Sequence, residues 1–209
     1  MSAAAPLAPA LPPLFDVVGT AVFALTGALV AARLRQTFVT LCFFALLTGV
    51  GGGTLRDLLI GAPPFWLHNQ WIAMAILGVA LLVWFTPRQW WDGQILEWVD
   101  AVGLAAFAVV GTAKALAFGA PPLTAAILGI VTGCVGGVIR DMIAGQPSIL
   151  MRPELYVTAA ALAAALTALG LWLGLPREPV FFAAALGGFT LRGAALIWHI
   201  ELPSYSRGK

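Results

Sequence analysis

The sequence predicts an all-α polytopic membrane protein with seven transmembrane helices, built as two inverted three-helix repeats followed by a seventh helix. Three observations support this prediction. Of the 209 residues, 61% are hydrophobic and 10% are charged, whereas soluble domains carry about 25% charged residues. The hydrophobic residues form seven stretches, each near the length of a membrane span. The first three stretches are repeated in sequence by the next three.

Short connectors rich in proline, glycine and arginine separate these stretches and leave no room for a soluble domain. Residues 1–209 are therefore expected to form a single membrane domain. Repeat one is expected at about 14–86, repeat two at about 98–173 and the extra helix at about 179–200. The individual spans are expected at 14–32, 37–60, 70–86, 98–118, 121–145, 154–173 and 179–200.

The charge and cysteine content excludes several classes of protein. The net charge of +2 does not provide the basic surface of a nucleic-acid-binding protein. Cys42 and Cys134 lie in apolar runs and are interpreted as small buried hydrophobic residues. The chain has no metal-ligand cluster, phosphate-binding loop or Ser/His/Asp set. We therefore expect no enzyme activity, no structural metal and no cofactor.

Basic residues near the span ends predict the orientation. With seven spans, successive connectors lie on alternate sides of the membrane, and one side receives most of the arginine and lysine. The positive-inside rule makes that side cytoplasmic, so we expect the N-terminus outside and the C-terminus in the cytoplasm. The opposite side clearly receives only Arg177. The cytoplasmic set is Arg33, Arg35, Arg88, Arg152, Arg207 and Lys209.

An internal duplication appears when the sequence is shifted by 84 residues. Between residues 16–63 and 100–147, 17 of 48 positions are identical without a gap. The strongest match pairs TGVGGGTLRDLLIGAP with TGCVGGVIRDMIAGQP. Each copy holds three spans, so the second copy enters the membrane from the opposite side. The copies are then related by a pseudo-two-fold axis in the membrane plane, an arrangement typical of transport proteins.

The glycines of the duplicated block are candidates for a permeation pathway. Glycine weakens a helix by up to about 1 kcal/mol relative to alanine, so a cluster is expected to kink the second and fifth spans. Freed carbonyls, together with two threonine hydroxyls, would then be ligands for a monovalent cation. The alternative is close helix packing through small residues. The candidate pathway residues are Thr48, Gly51, Gly52, Gly53, Thr132, Gly133, Gly136 and Gly137.

Charged residues follow the glycines in both copies. Arg56-Asp57 and Arg140-Asp141 are adjacent pairs, and adjacent helical residues point about 100° apart. Each arginine is therefore expected to pair with a carboxylate from another span, since charges inside a membrane face the bundle and pair. Two interpretations stay open, pathway mouths and structural clamps, and they are compatible. The candidate partners are Asp16 and Asp100, which open the first and fourth spans.

Two further charges lie within spans. Lys114 is in the fourth span, where the repeat mate is Val30. It is either a lysine that extends to the membrane surface or a charge that responds to voltage. Arg192 lies near the middle of the seventh span and is expected to pair with a carboxylate that holds this helix on the bundle.

The doubled GGxxRD block on a three-plus-three-plus-one plan resembles the prokaryotic members of the trimeric intracellular cation (TRIC) channel family, a domain also labelled glycine-transporter-like. The resemblance covers the chain from Asp16 to Pro203. It implies a homotrimer in which each protomer has its own pore for potassium, with weak discrimination against sodium. It also implies that Lys114 contributes to the voltage response. The pore-lining kinks would fall at Gly51, Gly52, Gly53, Gly136 and Gly137.

Two departures limit what the resemblance implies. Animal members carry a Lys-Glu-Val triplet after the second-span glycines, whereas this chain has Arg56-Asp57 nearby, so their lipid-binding role is not expected here. Val135 replaces the glycine that corresponds to Gly51. A secondary carrier for a small solute such as glycine remains the alternative, because inverted repeats occur in carriers as well as channels.

Overall fold

The computed structural model describes residues 13–203, and within them the all-α prediction is confirmed. Arg207 and Lys209, which contribute to the predicted orientation, lie outside the described residues. Two short 3-10 helices, Arg88–Trp91 and Ile149–Met151, lie in the connectors. The seven α-helices are α1 Pro13–Arg33, α2 Phe38–Leu59, α3 Gln70–Phe85, α4 Ile95–Ala117, α5 Pro122–Ile143, α6 Val157–Trp172 and α7 Arg177–Trp198.

Five of the helices are long and apolar enough to cross a membrane: α1, α2, α4, α5 and α7. The third helix of each repeat, α3 or α6, is shorter, with 16 residues. At 1.5 Å per residue such a helix is about 24 Å long, somewhat less than the hydrocarbon thickness of about 30 Å. The shortening occurs at the same place in both repeats.

Local sequence explains where the helices begin and end. The side chain of Thr37 caps α2 and that of Asn69 caps α3, each by accepting a backbone N–H. Pro122 opens α5, where its missing N–H costs nothing. Gly61 and Gly145, which are repeat mates, follow α2 and α5 with φ of +69° and +64°. That left-handed conformation ends a helix and favours glycine.

The two repeats pack reciprocally, as a pseudo-two-fold axis requires. Within each repeat the first helix packs on the second, and the repeats meet through α1 with α4 and α2 with α5. Phe23 and its mate Phe107 stack with ring centroids 5.2 Å apart. Phe107 covers Gly19, and in the same way Phe23 covers Gly103. The helix outside the repeat, α7, packs on α6 and α4, so only the second repeat is covered by an additional helix.

Candidate ion pathway

A group of charged side chains, which we call the first charge cluster, joins the start of α1 with the ends of α2 and α4. It consists of Asp16, Arg56, Asp57 and Lys114. Asp57 is its centre: Oδ1 accepts from Arg56 Nε at 2.8 Å and lies 2.8 Å from Lys114 Nζ. Asp57 Oδ2 accepts the backbone N–H of Phe65 at 2.8 Å. Asp57 and Arg56 are fully buried, and the Asp57 carboxylate forms ion pairs with two cations, Arg56 and Lys114.

Phe65 follows α2 and closes the cluster from one side. Its ring centroid lies 5.7 Å from the guanidinium carbon of Arg56 and 5.8 Å from Lys114 Nζ. Both cations therefore make a cation–π contact as well as an ion pair. The ring also covers Gly53, where an added Cβ would lie 2.5 Å from it. The aromatic ring therefore packs over Gly53, the last glycine of the α2 glycine segment.

Lys114 is one-fifth exposed and is paired in this structure. Its ion pair links α4 of the second repeat to α2 of the first. A voltage response would therefore require this lysine to leave Asp57. Asp16, the fourth member of the cluster, lies close enough to Arg56, Lys114 and Asp57 to interact electrostatically with their charges. Its Oδ1 is buried and has no hydrogen-bond partner in the part of the chain that the structure describes.

The second charge cluster consists of Asp100, Arg140 and Asp141, the repeat mates of Asp16, Arg56 and Asp57. Arg140 Nη1 donates to Asp100 Oδ1 at 2.6 Å, and Arg140 Nε donates to Asp141 Oδ1 at 2.9 Å. Asp141 Oδ2 accepts the backbone N–H of Ile149 at 2.9 Å. Ile149 is the repeat mate of Phe65, so the same hydrogen bond from backbone to aspartate occurs at corresponding positions in both clusters.

The expectation that adjacent residues do not pair was wrong. In both clusters the arginine pairs with the aspartate that follows it, because the long arginine side chain spans the angle between neighbouring positions. Arg140 also has the expected cross-partner, Asp100. Among the described residues, Arg56 forms its ion pair with Asp57, and Asp16 does not replace it.

The clusters lie at opposite ends of the bundle. Helix α4 contributes Asp100 near its start to the second cluster and Lys114 near its end to the first. Fourteen residues of helix separate them, which is about 21 Å at 1.5 Å per residue. The charges are therefore near the two mouths of any pathway between α1, α2, α4 and α5.

The glycines between the clusters do not break their helices. Both α2 and α5 run without interruption through Gly51–Gly53 and Gly133–Gly137, so the expected freed carbonyls are absent from this state. The glycines instead permit close contact. A Cβ on Gly52 would collide with the carbonyl oxygen of Thr132, and one on Gly136 would lie 2.5 Å from the carbonyl oxygen of Thr48. This reciprocal contact favours the packing alternative.

The remaining glycines face side chains or backbone of neighbouring elements. A Cβ on Gly51 would lie 2.6 Å from Ile139 Cδ1, and one on Gly133 would lie 2.8 Å from the Leu104 carbonyl oxygen. The hydroxyl of Thr132 donates to the carbonyl of Leu128 at 2.6 Å. The hydroxyl of Thr48 is buried and has no hydrogen-bond partner within residues 13–203. The two threonines therefore differ, although they are repeat mates.

A cavity of about 240 Å³ adjoins the second charge cluster. It holds polar side chains from α1, α4 and α5 and from the connector before α6. The sequence did not single out Glu97, although it lies one helical turn before Asp100 on α4. The charged lining residues are Arg33, Glu97, Asp100, Arg140, Asp141 and Arg152.

Arg192 pairs with a carboxylate, as its position in α7 predicts. Its Nη2 donates to Glu154 Oε2 at 2.6 Å, and its guanidinium carbon lies 5.4 Å from the ring centroid of Tyr156. Both partners lie just before α6. Neither had been singled out, because no motif marks them. In the described part of the chain, no group of three or more His, Cys, Asp or Glu residues is arranged to hold a metal ion.

Comparisons with known proteins agree with this architecture. A family model described as glycine transporter matches twice, at residues 13–88 and 97–172. A UPF0126 membrane protein of Vibrio cholerae is 35% identical, covering 94% of this chain and 83% of the relative. The UPF0126 inner membrane protein YadS of Escherichia coli K12 is 34% identical, covering 91% and 94%.

Solved structures also match over nearly the whole chain. The TRIC trimeric intracellular cation channel orthologue from Rhodobacter sphaeroides is 39% identical, with a TM-score of 0.84 over 90% of this chain and 97% of that structure. A second TRIC cation channel is 26% identical, with a TM-score of 0.82 over 94% and 98%.

Proposed function

This chain belongs to the TRIC channel family, whose family model carries the description glycine transporter, and from that premise we propose that it forms a potassium-permeable cation channel. The pore would lie within each protomer, between α1, α2, α4 and α5. The protein would assemble as a homotrimer in the inner membrane, with the N-terminus outside and the C-terminus in the cytoplasm. Sodium would permeate less readily than potassium.

The observation that carries this proposal is the reciprocal α2–α5 crossing between two buried charge clusters. The carboxylates at both mouths are paired with basic side chains in this conformation. Once those pairs separate, the carboxylates would favour cations over anions, as rings of Asp or Glu do in cation channels. Between the mouths, Gly52 and Gly136 let the helices meet without side chains. Separation of α2 from α5 at this point would expose the carbonyl oxygens of Thr48 and Thr132, with the Ile139 side chain beside them. Such a surface suits a partly dehydrated monovalent cation.

We interpret this conformation as the closed state of the proposed pathway. Asp57 and Asp141 are held by arginines in both clusters, and Phe65 covers Gly53. Opening would require the arginine and lysine side chains to give up carboxylate contacts in exchange for water. Removing one partner of a buried pair costs about 3–5 kcal/mol because a buried charge is left uncompensated, whereas water entering an opening mouth would solvate the released charges. Each cluster would therefore act as a gate with two states, one with paired charges and closed, the other with hydrated charges and open.

Single-channel recording of the purified protein in a planar bilayer tests the proposal. We expect unitary current steps, with a reversal potential in asymmetric KCl and NaCl that favours potassium. Absence of current from a preparation of intact oligomer would refute the channel function.

A carrier for a small zwitterion is the second candidate. The family description favours it, and the cavity beside Asp100 contains both arginines and carboxylates. A carrier would show saturable glycine uptake into vesicles and no unitary currents. A channel would show the reverse.

A further inference from the structure

Each charge cluster is stabilised by residues that have no polar counterpart in the other repeat, and we call these residues its support. At the first charge cluster the support is Lys114, whose repeat mate is Val30. At the second cluster the corresponding role falls to residues that have no polar mate. Tyr156 corresponds to Ile72, and Arg192 lies in α7, outside the repeat. The duplication therefore does not explain what holds the second cluster.

The ring of Tyr156 connects α7 to the second cluster. Tyr156 is fully buried at the start of α6, with the Arg192 guanidinium over its ring. A Cβ built on Gly137 would lie 2.9 Å from Tyr156 Oη and 3.6 Å from both Asp100 Oδ1 and Arg140 Nη2. The hydroxyl, the carboxylate and the guanidinium thus adjoin the same gap, which the glycine leaves open.

Two of the side chains around this gap carry a buried polar atom without a hydrogen-bond partner. Tyr156 Oη and Asp100 Oδ2 are buried, and neither has a hydrogen-bond partner among the described residues. Buried polar groups without partners are rare and are costly to maintain. A small adjustment of either side chain would let the hydroxyl donate to Asp100. This bond would hold the carboxylate that Arg140 uses as its cross-partner.

The segment before Tyr156 is fixed from the same side. Glu154 accepts from Arg192 and its backbone forms a β-bridge with Glu201. The N–H of Leu202, just after α7, donates to the carbonyl of Pro153 at 2.7 Å. Helix α7 and the residues after it thus hold Tyr156 by its ring and by its backbone.

We propose that Arg192 and Tyr156 are positioning residues for the second charge cluster. Arg192 fixes the Tyr156 ring, the Tyr156 hydroxyl steadies Asp100, and Asp100 keeps Arg140 in the closed arrangement. The helix outside the repeat therefore controls how readily the second mouth opens. This inference rests on the proposed channel function for its consequence, although the positioning itself can be measured without current.

Tyr156→Phe tests the inference because it removes the hydroxyl and keeps the ring under Arg192. Loss of one hydrogen bond of ordinary strength shifts a two-state equilibrium about fivefold. We expect the ratio of open to closed dwell times to rise about fivefold, with an unchanged oligomer. The matched control is Thr167→Val, which deletes another buried hydroxyl of α6, one that donates to the Ala163 carbonyl. The control should leave the ratio unchanged.

A second measurement does not depend on current. Val30 lines the cavity beside the second cluster, so a Val30→Cys variant reports access to it. A water-soluble methanethiosulfonate reagent should modify this cysteine about fivefold faster when Tyr156→Phe is added, and no faster when Thr167→Val is added. The chain without Val30→Cys gives the background from Cys42 and Cys134.

The outcomes separate the two proposals. Faster modification without any current from the parent protein would support the positioning role and refute the channel. Current from the parent protein, with dwell times and modification rate unaffected by Tyr156→Phe, would overturn the positioning role. Arg192→Gln should act in the same direction as Tyr156→Phe. If that variant does not assemble, Tyr156→Phe alone decides.

Discussion

Adjacent glycines in α2 provide the sharpest test of how the pathway is built. Gly51 and Gly52 lie in the same helix, and substitution of either by alanine stabilises that helix by about 1 kcal/mol through its higher helix propensity. Their neighbours differ. A Cβ on Gly51 would meet the end of the Ile139 side chain at 2.6 Å, whereas one on Gly52 would meet the Thr132 carbonyl oxygen. A terminal methyl can rotate away, but the backbone of a packed helix cannot.

The expected free energies follow from that difference. Inserting a methyl group into a well-packed site costs about 1–3 kcal/mol, and a backbone contact places Gly52→Ala at the upper end. After the propensity gain, we expect Gly52→Ala to lose about 1–2 kcal/mol of stability. Gly51→Ala should be neutral or slightly stabilising. Gly136→Ala should behave like Gly52→Ala, because its Cβ would lie 2.5 Å from the Thr48 carbonyl oxygen.

Melting temperature in detergent and potassium flux into vesicles, measured on the same preparations, check this prediction. Glycines that act by weakening the helix would make both alanine variants more stable and equally impaired in flux. Glycines that act by close packing separate the two variants. Equal behaviour of Gly51→Ala and Gly52→Ala would refute the packing account.

Three further predictions concern the charges and the orientation. Arg140→Ala should lower the melting temperature well below that of Arg88→Ala, because it leaves buried carboxylates uncompensated at a cost of about 3–5 kcal/mol. Arg88 is the control because its side chain is exposed. Equal melting temperatures of the two variants would mean that Arg140 is solvated. Lys114→Gln should flatten the voltage response without unfolding the protein, because one charge crossing the whole membrane contributes about 2.3 kcal/mol per 100 mV; unaltered voltage dependence would remove Lys114 from gating. A C-terminal reporter active only outside the cytoplasm should be silent, and activity would reverse the orientation.

The fold was largely predictable because the duplication is visible in the sequence. A shift of 84 residues aligns the helices, the charges and the glycine that ends α2 with its mate after α5. It also points to Asp100 as a partner of Arg140, since charges inside a membrane must pair. These inferences need only periodicity and the cost of burying a charge.

The role of the glycines was not predictable in the same way. A missing side chain is equally consistent with a weakened helix and with a close contact, and only the position of Thr132 relative to Gly52 distinguishes them. The partners of Arg192 were missed for a related reason. Glu154 and Tyr156 precede α6 without any motif, and their contact with α7 bridges more than thirty residues of sequence.

The departures from symmetry indicate how the two mouths can differ in one protein. A duplicated pathway with identical gates would respond identically from either side. In the proposed channel, the first mouth would be held by Lys114, which pairs with Asp57, and the second would be held through Tyr156 by α7, a helix that the repeat does not contain. Lys114 is one-fifth exposed and can move into water, whereas Arg192, the charge behind Tyr156, is fully buried and paired with Glu154. The first mouth is therefore the one that should respond to voltage, and the second the one that should respond to changes in α7.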